Sequence, residues 1–187
     1  MKIAIFGGTF DPIHSAHLIV AGEALHAFAL DLVLFIPAAN PPHKQSSHCA
    51  SYEDRYRMVA LACKGQPKFQ PSRIEEGAER SYSILTIERL KAAHGDDRFF
   101  FLIGADAFAD LKTWHRWQDV AREVEFIVVS RPGHQYAVPE EARVHRLESL
   151  ALEVSSTEIR EALAQGESPE ALPPAVSAYI RERNLYR

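Results

Sequence analysis

A short apolar run, Lys2 to Phe6, ends at Gly7-Gly8, passes through Thr9-Phe10-Asp11-Pro12, and gives way to apolar residues at helical spacing from Ser15 to Leu30. A buried strand that turns on glycines into a helix constrains the chain strongly. The glycines let main chain approach a ligand, and a helix start presents N–H groups suited to an anion. Asp31 to Pro37 reads as the next strand, so the chain opens with a β-turn-α-β unit.

The alternation continues along the chain. After a polar loop with prolines, Ala38 to Ser51, a helix is predicted over Tyr52 to Cys63, with Tyr56, Val59 and Cys63 on one face. A strand near Phe69 to Ile74, a helix over Ser83 to Ala93 and a strongly apolar strand, Arg98 to Ile103, follow. Gly104-Ala105-Asp106 closes that strand and opens a short helix; Trp114 to Ala121 reads as helix and Val124 to Ser130 as strand. A Pro-Gly loop, Arg131 to Glu141, precedes a last short strand, Val144 to Leu147. Two helices, Thr157 to Gln165 and Ala175 to Arg183, finish the chain. Five or more buried strands separated by helices predict an α/β, Rossmann-like open parallel sheet with helices on both faces, plus a small C-terminal helical region from about residue 155. Ligands in such folds sit at the carboxyl ends of strands.

The 187 residues, 47% apolar and 25% charged, fit one domain spanning 1–187. A net charge of −4 argues against a general nucleic-acid or anionic-membrane binder, so an anionic ligand must be held locally. No apolar run has bilayer length and the N-terminus is unlike a signal peptide, which predicts a cytoplasmic protein. Cys49 and Cys63 lack CxxC or zinc-finger spacing and read as reduced thiols, Cys63 on a buried helix face.

Glycines alone leave a tight strand-to-helix turn and a phosphate site equally open. The segment is neither GxGxxG nor GxxxxGK, so hydride transfer and P-loop hydrolysis lose their sequence warrant. His14 and His17, three apart at the helix start, can face one anion and donate hydrogen bonds as negative charge builds during phosphoryl transfer. The competing readings of that pair are plain surface histidines or a metal site, with His43 or His48 as third ligand. Ser155-Ser156-Thr157 before Arg160 offers either an ordinary N-cap or a second anion site with a guanidinium one turn in.

The segment GGTFDPIHSAHL resembles the signature of the HxGH nucleotidyltransferase superfamily and, within it, of the bacterial nicotinate-nucleotide adenylyltransferases. The similarity continues in order through Pro41-Pro42-His43-Lys44, Ser81-Tyr82-Ser83, Ile103-Gly104-Ala105-Asp106, Trp114, Ser130-Arg131-Pro132-Gly133, Ser155 to Arg160, and the ending Tyr179-Ile180 with Leu185-Tyr186. The resemblance implies that the phosphate of nicotinate mononucleotide attacks the α-phosphorus of ATP, giving deamido-NAD and pyrophosphate without a covalent intermediate. It also implies Mg²⁺ carried mainly by the ATP phosphates, with no metal ligands on the protein. By resemblance, His14, His17 and Arg160 are catalytic, and Gly7, Gly8, Thr9, Phe10, Gly104, Ser155, Ser156 and Thr157 join them in holding ATP. Asn40, Lys44, Ser83, Asp106, Trp114 and Arg131 are assigned to the mononucleotide, Trp114 by stacking on the ring and Ser83 with nearby amides at its carboxylate.

The pattern departs from the family at Ala16, where glycine is usual, at Ser83, where threonine is common, and at His115, where tyrosine can follow the tryptophan. Other acceptors within the superfamily, phosphopantetheine or nicotinamide mononucleotide, and a nucleotide-binding sensor without turnover are the rival readings. Neither nucleic acid nor membrane is expected as a partner, and a monomer or small homo-oligomer is.

Overall fold

The structure, a computed structural model, describes residues 1–40 and 50–187. Among the described residues, six strands form one sheet: β1 (Lys2–Gly8), β2 (Leu32–Pro37), β3 (Phe69–Pro71), β4 (Arg98–Gly104), β5 (Glu125–Ser130) and β6 (Val144–Glu148). Their order is β3-β2-β1-β4-β5-β6 and every neighbouring pair is parallel. The predicted parallel sheet with helices on both faces is what forms.

Parallel strands covered on both faces bury side chains of both parities. Ala4, Val33, Phe35, Phe100, Leu102 and Ile127 pack on one face against the helices α1 (Ser15–Ala27), α2 (Tyr52–Cys63), α6 (Ser156–Ala164) and α7 (Pro174–Arg183). The alternate residues, among them Ile3, Ile5, Leu34, Phe101 and Phe126, pack on the other face against α3 (Ser83–His94), α4 (Ala105–Ala109) and α5 (Trp117–Glu123). Each fully buried side chain of this size contributes roughly 1.5–3 kcal/mol.

Local chemistry sets the boundaries. In α2, Ser51 caps the first turn by accepting the Asp54 N–H at 3.1 Å, and the observed span matches the predicted one. Cys63 is buried at its end, where loss of solvent pushes the thiol up to about 12. Helix α1 stops at Ala27 rather than at Leu30. Ala29 takes a left-handed φ of 48°, its N–H reaches the His26 carbonyl, and the Leu30 N–H reaches Leu25, the two bonds of a Schellman cap. Leu30 keeps the apolar pattern because it is buried just beyond the cap. The edge strand β3 is three residues long, shorter than expected; Pro71 is tolerated at this edge, and the next N–H, of Ser72, still donates to the Phe35 carbonyl of β2 at 2.9 Å. The helix expected from Trp114 begins only at Trp117, because Arg116 sits at φ 52°. Trp114 therefore lies in the connection after a 3₁₀ turn, Leu111–Thr113. Among the described residues, no helix is long and apolar enough to cross a membrane.

Candidate active site

The strand order reverses direction between β1 and β4, and the carboxyl ends of these two strands, Gly7-Gly8 and Gly104, face the crevice where such sheets bind ligands. Gly8 leaves room for the Phe10 ring: a Cβ there would lie 3.1 Å from it, so the ring would have to shift by a few tenths of an ångström. Phe10, 3% exposed at φ 48°, folds back onto Phe6, Phe35 and His17.

His14 is the N-cap residue of α1 and is buried; the half-buried His17 ring lies 3.8 Å from it, centroid to centroid. The His14 N–H donates to His17 Nδ1 at 3.2 Å, so in the neutral imidazole Nε2 carries the proton of His17. Burial lowers His14 to about 4, and burial followed by the neighbouring His14 holds His17 well below its ordinary value. Both rings are thus neutral dipoles at neutral pH. The helix start is only partly open to an anion, because Ser15 N–H donates to the Ala171 carbonyl and His17 N–H to that of His14. Ala16, at the position where the family usually has glycine, is buried.

Helix α6 abuts this loop. Arg160 Nη1 donates to the Asp11 carbonyl at 2.7 Å, and Ser156 Oγ to that of Pro12 at 3.0 Å. Arg160 also reaches Thr157 Oγ1 at 3.3 Å. Ser155 forms a capping box with Glu158, so its hydroxyl serves the helix end, as the simpler reading of that segment expected. The Thr9 carbonyl accepts from Arg55 Nη1 at 2.7 Å.

Two further residues organise the loop without having been given a role from sequence. Asp11, 3% exposed, accepts the Tyr186 hydroxyl at 2.6 Å and the Ala50 N–H at 3.0 Å through Oδ1; its buried Oδ2 has no partner among the described residues. Burial and then the Asp11 charge push the Tyr186 hydroxyl up from its ordinary value. Tyr186 belongs to the similar chain ending, but nothing in the sequence paired it with Asp11.

On the opposite face of the sheet, Gly7, Gly8, Ser83 and Trp114 line a cavity of about 170 Å³ together with the buried Glu75. Trp114 packs edge-on against Phe101 at 5.7 Å. Ser81, Ser83 and Trp114 also border a wider cleft of about 650 Å³ that His115 and Tyr82 flank, their rings 4.4 Å apart. Gly104, Asp106 and Arg131 line a third cleft of about 400 Å³ with His134. Asn40 stands at the rim, where its side chain donates to the Glu79 carbonyl at 2.6 Å and its N–H to Ser81 Oγ at 3.0 Å. Lys44, like His43, His48 and Cys49, lies outside the described residues. Among the described residues no three His, Cys, Asp or Glu side chains converge as metal ligands.

A cytidylyltransferase-like family model matches residues 5–162. A protein of Solibacter usitatus named "Probable nicotinate-nucleotide adenylyltransferase" is 60% identical over 188 residues covering the whole of both chains. One of the same name from Exiguobacterium sibiricum is 46% identical over all of this chain and 99% of its own. The fold superimposes on Plasmodium falciparum nicotinic acid mononucleotide adenylyltransferase complexed with NaAD, with a TM-score of 0.83 at 21% identity over 99% of this chain and 97% of that one. The chain belongs to the cytidylyltransferase-like family and, within it, to the nicotinate-nucleotide adenylyltransferases.

Proposed function

We propose that this enzyme transfers the adenylyl group of ATP to nicotinate mononucleotide, forming deamido-NAD and pyrophosphate in NAD biosynthesis. The observation that carries the proposal is the neutral His14–His17 pair at the end of β1, bound through one loop to Arg160 of α6. A mononucleotide phosphate oxygen attacks the α-phosphorus, the bond to the bridging oxygen breaks, and pyrophosphate leaves with both electrons. His17 Nε2–H and the His14 ring stabilise the developing negative charge, and Arg160 with Ser156 and Thr157 receives the departing pyrophosphate. Gly7, Gly8, Thr9, Phe10 and Gly104 shape the ATP side. Ser155 acts through the cap it makes.

Ser83 and Trp114 take the ring of the acceptor, Asp106 its ribose and Lys44 its phosphate, with Asn40 and Arg131 as further contacts to the mononucleotide. Nucleotidyltransferases of this family generally use a divalent metal with ATP. Mg²⁺ carried mainly by the ATP phosphates would neutralise phosphate charge there. In this proposal residues 1–187 form one domain, the protein works in the cytoplasm as a monomer or small homo-oligomer, and positioning supplies roughly 7–11 kcal/mol of the barrier reduction.

Incubation with ATP, Mg²⁺ and each acceptor in turn, with release of pyrophosphate as the readout, tests the assignment. Nicotinate mononucleotide is expected to be the best acceptor. Release with phosphopantetheine alone overturns it, and ATP binding without release from any acceptor makes the protein a sensor.

A further inference from the structure

We propose that Glu75 is the counter-charge that selects the cationic pyridinium ring of the acceptor, an assignment that rests on the pyridine mononucleotide reading above. Glu75 is 7% exposed and lines the same cavity as Ser83 and Trp114. Its carboxylate is held from two sides: Oε1 accepts the Thr86 hydroxyl at 2.6 Å, and Oε2 the Ala39 N–H at 3.4 Å. These bonds join α3 to the chain leaving β2, so the carboxylate is fixed in place between two walls of the cavity. The nearby Arg73 is committed to Glu53 and Glu76, and Glu75 has no ion-pair partner among the described residues.

A buried carboxylate is tolerated when a cation pairs with it. Two hydroxyl or amide dipoles satisfy its hydrogen bonds but leave its charge uncompensated. The acceptor brings a charge of the missing sign: the ring nitrogen of a pyridine mononucleotide is quaternary and stays positive at every pH. The indole of Trp114, bordering the same cavity, also favours a cation over its face. Two unrelated groups in one small cavity therefore point to the same ligand property. Nicotinate and nicotinamide mononucleotides share it, so Glu75 recognises ring charge, and the substituent is chosen elsewhere, at Ser83 and the start of α3. The dihydropyridine form, nearly the same in shape, is neutral and forfeits both interactions.

Glu75→Gln preserves size and the oxygen that accepts from Thr86 while deleting the charge. The experiment measures inhibition of pyrophosphate release by nicotinamide mononucleotide and by its dihydro form, in wild type and E75Q, together with KM for ATP. Wild type is expected to bind the oxidised form roughly tenfold or more tightly than the reduced one. In E75Q that ratio falls severalfold, with KM for ATP unchanged. A ratio near one in wild type, or an equal ratio in both proteins, overturns the assignment while leaving the adenylyl transfer intact. Turnover with phosphopantetheine and with no pyridine mononucleotide overturns both. If E75Q fails to fold, Trp114→Leu isolates the carboxylate: a persisting preference for the oxidised form supports Glu75, and its complete loss refutes it.

Discussion

His14 ties acid sensitivity to the site, and the size of the effect follows from its burial. The native ring is lowered to about 4 by desolvation, against an ordinary 6.5 in the unfolded chain. Between those values the unfolded state binds more protons than the native state, so stability falls as pH falls through the window. Integrating one such group from about pH 7 to about pH 5 gives a loss of about 2 kcal/mol, rising to about 3 kcal/mol near pH 4. Other groups titrate in the same range, so the informative quantity is a difference between variants. His14→Asn removes the titration yet leaves a good N-cap at the start of α1. Urea unfolding of both proteins at about pH 7 and pH 5 is expected to show the variant losing about 2 kcal/mol less. His17 remains depressed in that variant, because burial is the first cause of its shift. Parallel losses in the two proteins would refute the claim that His14 is buried in its neutral form.

His17→Ala removes the Nε2–H donor and is expected to lower kcat about a hundredfold with little change in KM for the mononucleotide, measured by pyrophosphate release. Tyr186→Phe deletes the hydroxyl that donates to Asp11 at 2.6 Å and leaves a buried carboxylate short of a partner; thermal or urea unfolding should report a loss of about 1–3 kcal/mol. Gly8→Ala places a methyl 3.1 Å from the Phe10 ring, which Phe6, Phe35 and His17 hem in. Overpacking of about 1–3 kcal/mol is expected, accompanied by a raised KM for ATP, and a variant identical to wild type in both measurements contradicts the close approach.

The parts of the molecule legible in the sequence are those governed by near neighbours. The β1 turn, the capped helix α2 and the alternation of strands and helices all follow from residues within one or two turns of each other. Leu30 misled because an apolar residue beyond a Schellman cap continues a helical pattern that the backbone has already left. Trp114 misled because the left-handed turn falls at Arg116, where no glycine or proline marks a break in the helical pattern. The rest was a matter of long-range pairing. Asp11 and Tyr186 are 175 positions apart, and no local pattern joins them. Glu75 and Glu76 are adjacent and chemically identical, yet one is buried against Thr86 and the other is exposed and paired with Arg73. Only the packing of α3 against the turn that carries them distinguishes the two.

The division of candidate residues between the faces of the sheet bears on the direction of the reaction. Helices α1 and α6, with His14, His17 and Arg160, pack on one face, whereas α3 and α4, with Ser83 and Asp106, pack on the other. The two sets meet over the ends of β1 and β4, where Gly7, Gly8 and Gly104 carry no side chain to obstruct an approach. An in-line displacement needs its nucleophile and leaving group on opposite sides of the phosphorus. A crevice furnished from both faces meets that need: in the proposed reaction the acceptor phosphate would arrive from the Ser83 and Trp114 side, and pyrophosphate would depart toward Arg160. Since Arg160 is fixed by the Asp11 carbonyl, and Asp11 by Tyr186, the proposed role of Arg160 would make the alignment of the leaving group depend on Tyr186 as well as on the loop after β1.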